Sequence, residues 1–227
     1  MDDRCLLFFV RNPERGAVKT RLGGALGEQG TRDLYRNFVL DMLSQLQGGI
    51  YRLIICYHPE DALEDVKRIV GEGYHFQPQQ GDDLGLKMEQ CFTSAFSDGF
   101  NRAVVVGSDV PDLPAEFIDK SFAALEVYDS VLGPSLDGGY YLIGFQRDSF
   151  LPEAFRGIEW GTDMVLRQTL DIFQDNKRTV HLLPPLRDID TPEDLKAFFQ
   201  KNRGTPNCPH TMAFLNQSKL LSTKDEG

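Results

Sequence analysis

The chain has 227 residues, and its 34 acidic against 24 basic side chains give a formal charge of −10 at neutral pH. Most of such a surface repels nucleic-acid backbones and anionic lipid, which argues against nucleic acid as a partner. No stretch approaches the roughly 18 unbroken apolar residues of a membrane span, and the start lacks the layout of a secretory signal, so a cytoplasmic protein is expected.

The charge is uneven. Between Arg4 and Arg21 five basic residues (Arg4, Arg11, Arg15, Lys19, Arg21) stand against a single acid, Glu14. Such an island can hold one small phosphorylated molecule. The four cysteines are widely separated, with no C-x-x-C pair and no histidine at zinc-finger spacing, so neither a disulfide framework nor a structural zinc site is indicated. Three lie in apolar segments and read as buried thiols.

In chain order, Cys5 to Val10 predicts a first buried strand, and Leu34, Phe38, Met42 and Leu46, with Tyr35, Val39 and Leu43 beside them, predict a helix from about Glu28 to Gln47. A second strand follows at Arg52 to Tyr57. Met88, Cys91, Phe92, Ala95 and Phe96 mark a helix before the strand Ala103 to Val106, and Phe117, Phe122 and Leu125 mark another after Pro114. The strands Ser130 to Gly133 and Tyr140 to Phe145 come next, then a helix carrying Val165, Leu166, Leu170 and Phe173, then a strand over Thr179 to Leu183. Strands alternating with helices imply an α/β fold, a mainly parallel sheet covered on both faces. Pro134 to Gly139 is too short for a helical crossover, so an antiparallel or mixed insertion is expected there. One domain over residues 1–203 is predicted. After Gly204 the pattern fades, Met212 to Leu221 offering at most a short helix, and 204–227 read as a tail of uncertain order.

Ligands of parallel α/β sheets bind at the carboxyl ends of the strands, so the loops there are the candidates. Arg11 to Leu22 joins a proline turn, a glycine and the cations Arg11, Lys19 and Arg21, which suits a polyphosphate; the alternative is a solvated basic turn. It matches neither the Walker nor the dinucleotide glycine pattern. The strand Ala103 to Val106 runs into Gly107-Ser-Asp109, where a carboxylate ending an apolar strand calls for a compensating cation unless it caps the next helix. Asp137-Gly138-Gly139-Tyr140 sets two glycines between an acid and an aromatic residue, fit for close approach of a ligand or for a plain hairpin turn. Asp188 and Asp190, at i and i+2, point the same way from an extended chain, while Thr191 to Asp194 open a helix. Gln79-Gln80-Gly81 and the residues to Met88, polar amides and glycines opening a helix, suit recognition of a base or sugar hydroxyls, or ordinary loop chemistry. Trp160 stacks on a ligand or packs in the core. The four histidines form no ligand spacing and no G-x-S-x-G elbow is present, which disfavours zinc and hydrolase chemistry.

Taken together, Phe9 to Leu22, Gln80-Gly-Asp-Asp-Leu-Gly-x-x-Met88, Gly107-Ser-Asp-Val-Pro111, Gly133-Pro-x-x-Asp-Gly-Gly-Tyr-Tyr-Leu-Ile-Gly144, Trp160-Gly-Thr162 and Asp188-Ile-Asp-Thr-Pro-Glu-Asp-Leu195 resemble the rSAM/selenodomain-associated transferase 1 family. That family belongs to the nucleotide-diphospho-sugar transferase superfamily with the GT-A fold, and the match runs from about residue 5 to 200. The resemblance implies a single Rossmann-like domain binding a nucleotide or nucleotide-diphosphate sugar, with a small-molecule acceptor and Mg²⁺ or Mn²⁺ as cofactor. It implies Asp109, Asp188 and Asp190 as metal ligands; Asp137, from its place beside the double glycine, is the candidate for contacting the acceptor or serving as base, and with Asp109 makes up the expected catalytic residues. The resemblance further implies Arg11, Lys19, Arg21, Gln80 and Gly81 against the nucleotide, and Gly138, Gly139, Tyr140, Trp160 and Thr162 against the rest of the substrate. Gly107-Ser-Asp109 carries one acid where glycosyltransferases of this fold usually carry Asp-x-Asp. Glycosyl transfer from a nucleotide sugar is the leading expectation; nucleotidyl transfer with release of pyrophosphate, and nucleotide binding without turnover, are the alternatives.

Overall fold

A computed structural model describes residues 3–15 and 18–218. Seven strands form one sheet in the order β3-β2-β1-β4-β6-β5-β7. The strands are β1 (Arg4–Arg11), β2 (Arg52–His58), β3 (His75–Pro78), β4 (Arg102–Val106), β5 (Ser130–Pro134), β6 (Tyr140–Gln146) and β7 (Val180–Leu182). All pairings are parallel except those of β6, which runs antiparallel to both β4 and β5. The short Pro134 to Gly139 connection thus reverses the chain as expected. Because only β6 is reversed, its start meets the ends of the other six strands along one edge, and every candidate loop gathers there.

The helices are α1 (Gly23–Leu46), α2 (Leu63–Val70), α3 (Leu84–Ser97), α4 (Ala115–Ala124), α5 (Val165–Asp175), α6 (Pro192–Asn202) and α7 (Pro209–Gln217). Alternate side chains of β1 divide between the two faces of the sheet. Leu6, Phe8 and Val10 pack with Tyr35, Val39 and Met42 of α1, Val66 of α2 and Phe122 of α4. Cys5, Leu7 and Phe9 pack with Cys91 and Phe92 of α3 and Phe173 of α5. All four cysteines are buried free thiols. Gly27, at φ 69, interrupts α1, so its regular part begins at Glu28, where the periodicity places it.

Two elements escape the sequence reading: α2, and the short edge strand β3, whose residues are all partly or fully exposed. The last region also differs from expectation. Residues 209–217 form α7, whose Met212 and Leu215 join Leu34 and Phe38 of α1 in a third cluster. The buried Asp41 of α1 accepts from the backbone N–H groups of His210 (2.9 Å) and Thr211 (2.7 Å), satisfying two donors at the α7 start. Residues 204–218 therefore continue the domain rather than trail from it; 219–227 lie outside the described residues. Among the described residues, no helix is long and apolar enough to cross a membrane.

Candidate active site

Lys19 lies at the centre. Its backbone is left-handed (φ 49), and it ends the loop after β1 just before a 3-10 turn at Thr20–Leu22. The side chain is only 4% exposed, yet Nζ lies 2.7 Å from Oδ1 of Asp109 and 2.7 Å from Oδ1 of Asp190. Burial alone would push this ammonium's pKa down; the two carboxylates outweigh it and raise the pKa instead, so the charge persists at neutral pH. Asp109 follows β4, and Asp190 follows β7 just ahead of α6, where Thr191 and Asp194 form a reciprocal capping box. The N–H of Ile189 donates to the carbonyl of Asp109 at 3.1 Å, tying these two loops together. Beneath them the buried Tyr35 hydroxyl accepts from the Arg11 N–H (2.9 Å) and pairs with the Ser108 hydroxyl (2.7 Å), fixing the first loop against the β4 loop.

Asp190 also belongs, with Asp137 and Asp188, to a group of three carboxylates that can each offer one oxygen, all within 4.8 Å of one another. Burial, then the charges of Asp137 and Asp190, push the Asp188 carboxyl up to about 6. Crowded oxygen donors with unneutralised charge are the chemistry that hard divalent cations answer, so these residues fit Mg²⁺ or Mn²⁺. Of the expected ligands, Asp188 and Asp190 belong to this group and Asp137 joins them, while Asp109 pairs with the same Lys19 ammonium as Asp190.

Two cavities open along the sheet edge. The larger, about 280 Å³, is lined by Phe9, His58, Gln79, Asp82, Lys87 and Tyr140 among others. The smaller, about 200 Å³, contains Lys19, Tyr35 and Asp190. Arg11, Ser108 and Asp109 line both, so the two adjoin. The Arg11 guanidinium has no hydrogen-bond or ion-pair partner among the described residues, which leaves it available to a ligand.

Other expected site residues lie elsewhere. Arg21 is exposed on the 3-10 turn and lines neither cavity. Gln80 is exposed, its nearest side-chain partner being Glu60 at 3.5 Å; the buried neighbour Gln79 faces the larger cavity instead. Gly81, at φ 128, serves the start of α3, since a Cβ there would stand 2.6 Å from the Leu86 Cβ. Trp160 packs against Gly85 of α3, where a Cβ would lie 2.8 Å from its ring, and sits edge-on to Tyr140 at 6.4 Å between centroids. It braces the cavity wall without lining the cavity. The Thr162 hydroxyl donates to the Glu159 carbonyl at 2.8 Å and accepts from the Met164 N–H at 3.3 Å, which makes it a turn residue.

The double glycine divides its duties. Gly139 donates its N–H to Oδ1 of Asp137 at 3.0 Å, and a Cβ on Gly139 would touch only that carboxylate. Gly138, at φ 93, meets the chain itself: a Cβ there would run into the backbone of Asp163, and its carbonyl accepts from the Leu166 N–H at 2.8 Å. Gly138→Ala is therefore expected to destabilise the fold by about 2 kcal/mol through forced positive φ and the clash. Urea denaturation checks this, and an unchanged midpoint would show that the α5 approach is slack. Residues to which the sequence reading gives no site role are Tyr35 and His58, while Gln79, Lys87 and Ser108 lie inside candidate loops without being assigned a contact of their own. Tyr35 sits on the predicted apolar stripe, where only its hydroxyl could have set it apart.

A family profile described as an uncharacterized protein conserved in bacteria (DUF2064) matches residues 42–162. A solved structure from Desulfovibrio desulfuricans G20, provisionally described as a nucleotide-diphospho-sugar transferase, is 42% identical, with a TM-score of 0.92 and 97% of each chain covered. The 2-phospho-L-lactate guanylyltransferase of Methanocaldococcus infernus is 26% identical over 192 residues, 83% of this chain and 82% of that protein. A cytidylyltransferase from Leptospira borgpetersenii shares the fold, with a TM-score of 0.57, 14% identity and both chains fully covered.

Proposed function

The chain belongs to the DUF2064 family, in the nucleotidyl- and sugar-nucleotide-transferase superfamily, and from that premise we propose that it is a divalent-metal-dependent glycosyltransferase acting on a nucleotide-diphosphate sugar. The observation that carries this reading is the buried Lys19 ammonium held between Asp109 and Asp190 where the two cavities meet. The base and ribose occupy the larger cavity. The diphosphate lies in the smaller one, against Lys19 and Arg11, which offset the charge that grows on the leaving group. Asp188 and Asp190 would hold Mg²⁺ or Mn²⁺ with Asp137 beside them, and the bound cation would supply Lewis-acid stabilisation of that same charge. Asp137 is exposed and oriented by the Gly139 N–H, and it receives the proton of an acceptor hydroxyl as the new glycosidic bond forms. The bond between the sugar and the diphosphate breaks, and the nucleoside diphosphate leaves. Residues 1–203 with α7 serve as one catalytic unit.

The 42% identical relative favours glycosyl transfer, since its description names that substrate class. The guanylyltransferase likeness over four-fifths of both chains favours a second reading, transfer of a nucleotidyl group from an NTP to a phosphorylated acceptor. Assays with nucleotide sugars and NTPs, Mg²⁺ or Mn²⁺, and hydroxyl or phosphorylated acceptors separate the two. Release of nucleoside diphosphate is the expected result, and release of pyrophosphate establishes the second reading. A thermal-shift panel of the same ligands comes first, because a ligand at a hundred times its Kd adds about 2.7 kcal/mol to apparent stability. Absence of any shift or turnover across the panel would overturn both.

A further inference from the structure

Gln79 follows β3 at the floor of the larger cavity and is only 4% exposed. Its Nε2 donates to the Cys56 carbonyl of β2 at 2.6 Å and to the Val10 carbonyl of β1 at 3.4 Å. Both amide hydrogens are thereby engaged, and turning the amide over would set Oε1 against two carbonyl oxygens. The strand ends lock Gln79 as a hydrogen-bond acceptor toward the cavity. Asp82, exposed at the cavity rim, has no side-chain hydrogen bond among the described residues, whereas Asp83 uses Oδ1 to cap α3 through the Leu86 N–H at 2.7 Å. The Lys87 ammonium on the first turn of α3 likewise has no hydrogen-bond or ion-pair partner among the described residues. Buried Met88 and half-exposed Leu84 supply apolar surface between these polar groups.

Arg11 faces the diphosphate in the proposed reading, and the other lining polar groups include His58, whose buried Nδ1 has no partner among the described residues. Around the start of α3 the available groups are two acceptors, Gln79 Oε1 and the Asp82 carboxylate, and one cationic donor, Lys87. Guanine is the common base whose pairing edge offers two adjacent donors beside one acceptor; adenine, cytosine and uracil each offer a single donor group on that edge. We infer that the larger cavity selects guanine, with Gln79 and Asp82 accepting from N1–H and the 2-amino group and Lys87 donating to O6. This rests on the reading that a nucleotide lies in the cavity and adds the base to it. A site built to accept from a substrate N–H rejects an analogue that lacks it, because the site's own group is left unpaired.

The test is isothermal titration of the whole protein, with Mg²⁺ present, against GDP, IDP, ADP, CDP and UDP. GDP is expected to bind tightest. IDP, which keeps O6 and N1–H but lacks the 2-amino group, is expected to bind about tenfold more weakly. Asp82→Asn should reduce the preference for GDP over ADP several-fold, as should Gln79→Met, whose folding is checked by its thermal melt. Asp82 is exposed, so its variant tests the choice of base even if Gln79→Met does not fold. Tightest binding of UDP or CDP, equal binding of all five, or an Asp82→Asn protein with an undiminished GDP preference would overturn the choice of base while leaving the nucleotide reading in place. Failure of all five to bind would remove both.

Discussion

Lys19→Met is expected to lower turnover about a hundredfold or more while costing less stability than the double replacement Asp109→Asn, Asp190→Asn, which is expected to cost about 3 kcal/mol of folding free energy. The asymmetry comes from where the water is. The lysine side chain is 4% exposed, but its partners are 49% and 41% exposed, so carboxylates deprived of the lysine regain hydration. A lysine deprived of both carboxylates keeps its burial and loses its counter-charges. The pH dependence follows with opposite signs in the two proteins. In the wild type the folded-state pKa of Lys19 lies above its ordinary value, so its contribution is fully present below about pH 10.5 and is lost as pH rises further. In the double variant burial acts unopposed and depresses that pKa, so the folded state sheds its proton first and stability recovers as pH rises toward 10.5. Urea denaturation at pH 7 and 9.5, beside steady-state turnover, reads all of this. A Lys19→Met enzyme with undiminished turnover would exclude the ammonium from charge stabilisation.

Asp188 supplies the second large effect. Its carboxyl is pushed up to about 6 by burial and by the neighbouring acids, so between about pH 4 and 6 the folded protein holds a proton that the unfolded chain has released. Stability from this group is therefore present below about pH 4 and declines as pH rises to 6, a change on the order of 1–2 kcal/mol after solvent screening. Asp188→Asn removes that slope. Mg²⁺ or Mn²⁺ is expected to reverse it in the wild type, because a cation favours the deprotonated form and is held only by the folded chain. In the same variant the metal concentration for half-maximal turnover should rise by about tenfold to a hundredfold. Thermal melts from pH 4 to 7, with and without the metal, provide the measurement; matching wild-type and variant slopes would show that Asp188 bears no unusual charge burden.

How far the chain could be read from its residues depended on how much apolar pattern each element carries. The buried strands β1, β2, β4, β5 and β6 are continuous apolar runs, and their predicted limits lie within a residue of those observed. The edge strand β3 reads His-Phe-Gln-Pro and has a partner on one side alone, so it needs no such run and shows none. The candidate loop Gln79 to Met88 includes both glutamines, and without the strand the contact is assigned to Gln80 although the residue that the strand end buries is Gln79. Lys19 and Asp190 stood out because a basic loop and paired acids are visible in one dimension. Their mutual distance was not, since 171 positions separate them along the chain. That Asp137 joins Asp188 and Asp190 was hidden for a related reason: the hairpin before β6 carries Asp137 to the acids after β7, a juxtaposition set by topology. Trp160 and Gly138 look like ligand contacts in sequence and prove to be contacts of the chain with itself.

The Asp41 cap on α7 has a consequence for synthesis. Asp41 belongs to one of the first helices made, and the two N–H groups that satisfy its carboxylate lie 169 and 170 positions later. At ribosomal rates that gap lasts on the order of ten to thirty seconds, during which α1 cannot acquire its last neighbour. The nascent chain must therefore carry the Leu34 and Phe38 face of α1, with an unshielded acid beside it, until α7 has been made. That acid keeps the waiting face hydrated and resists premature burial against other apolar surfaces, so the residue that finally fastens the last helix also protects the surface while it waits.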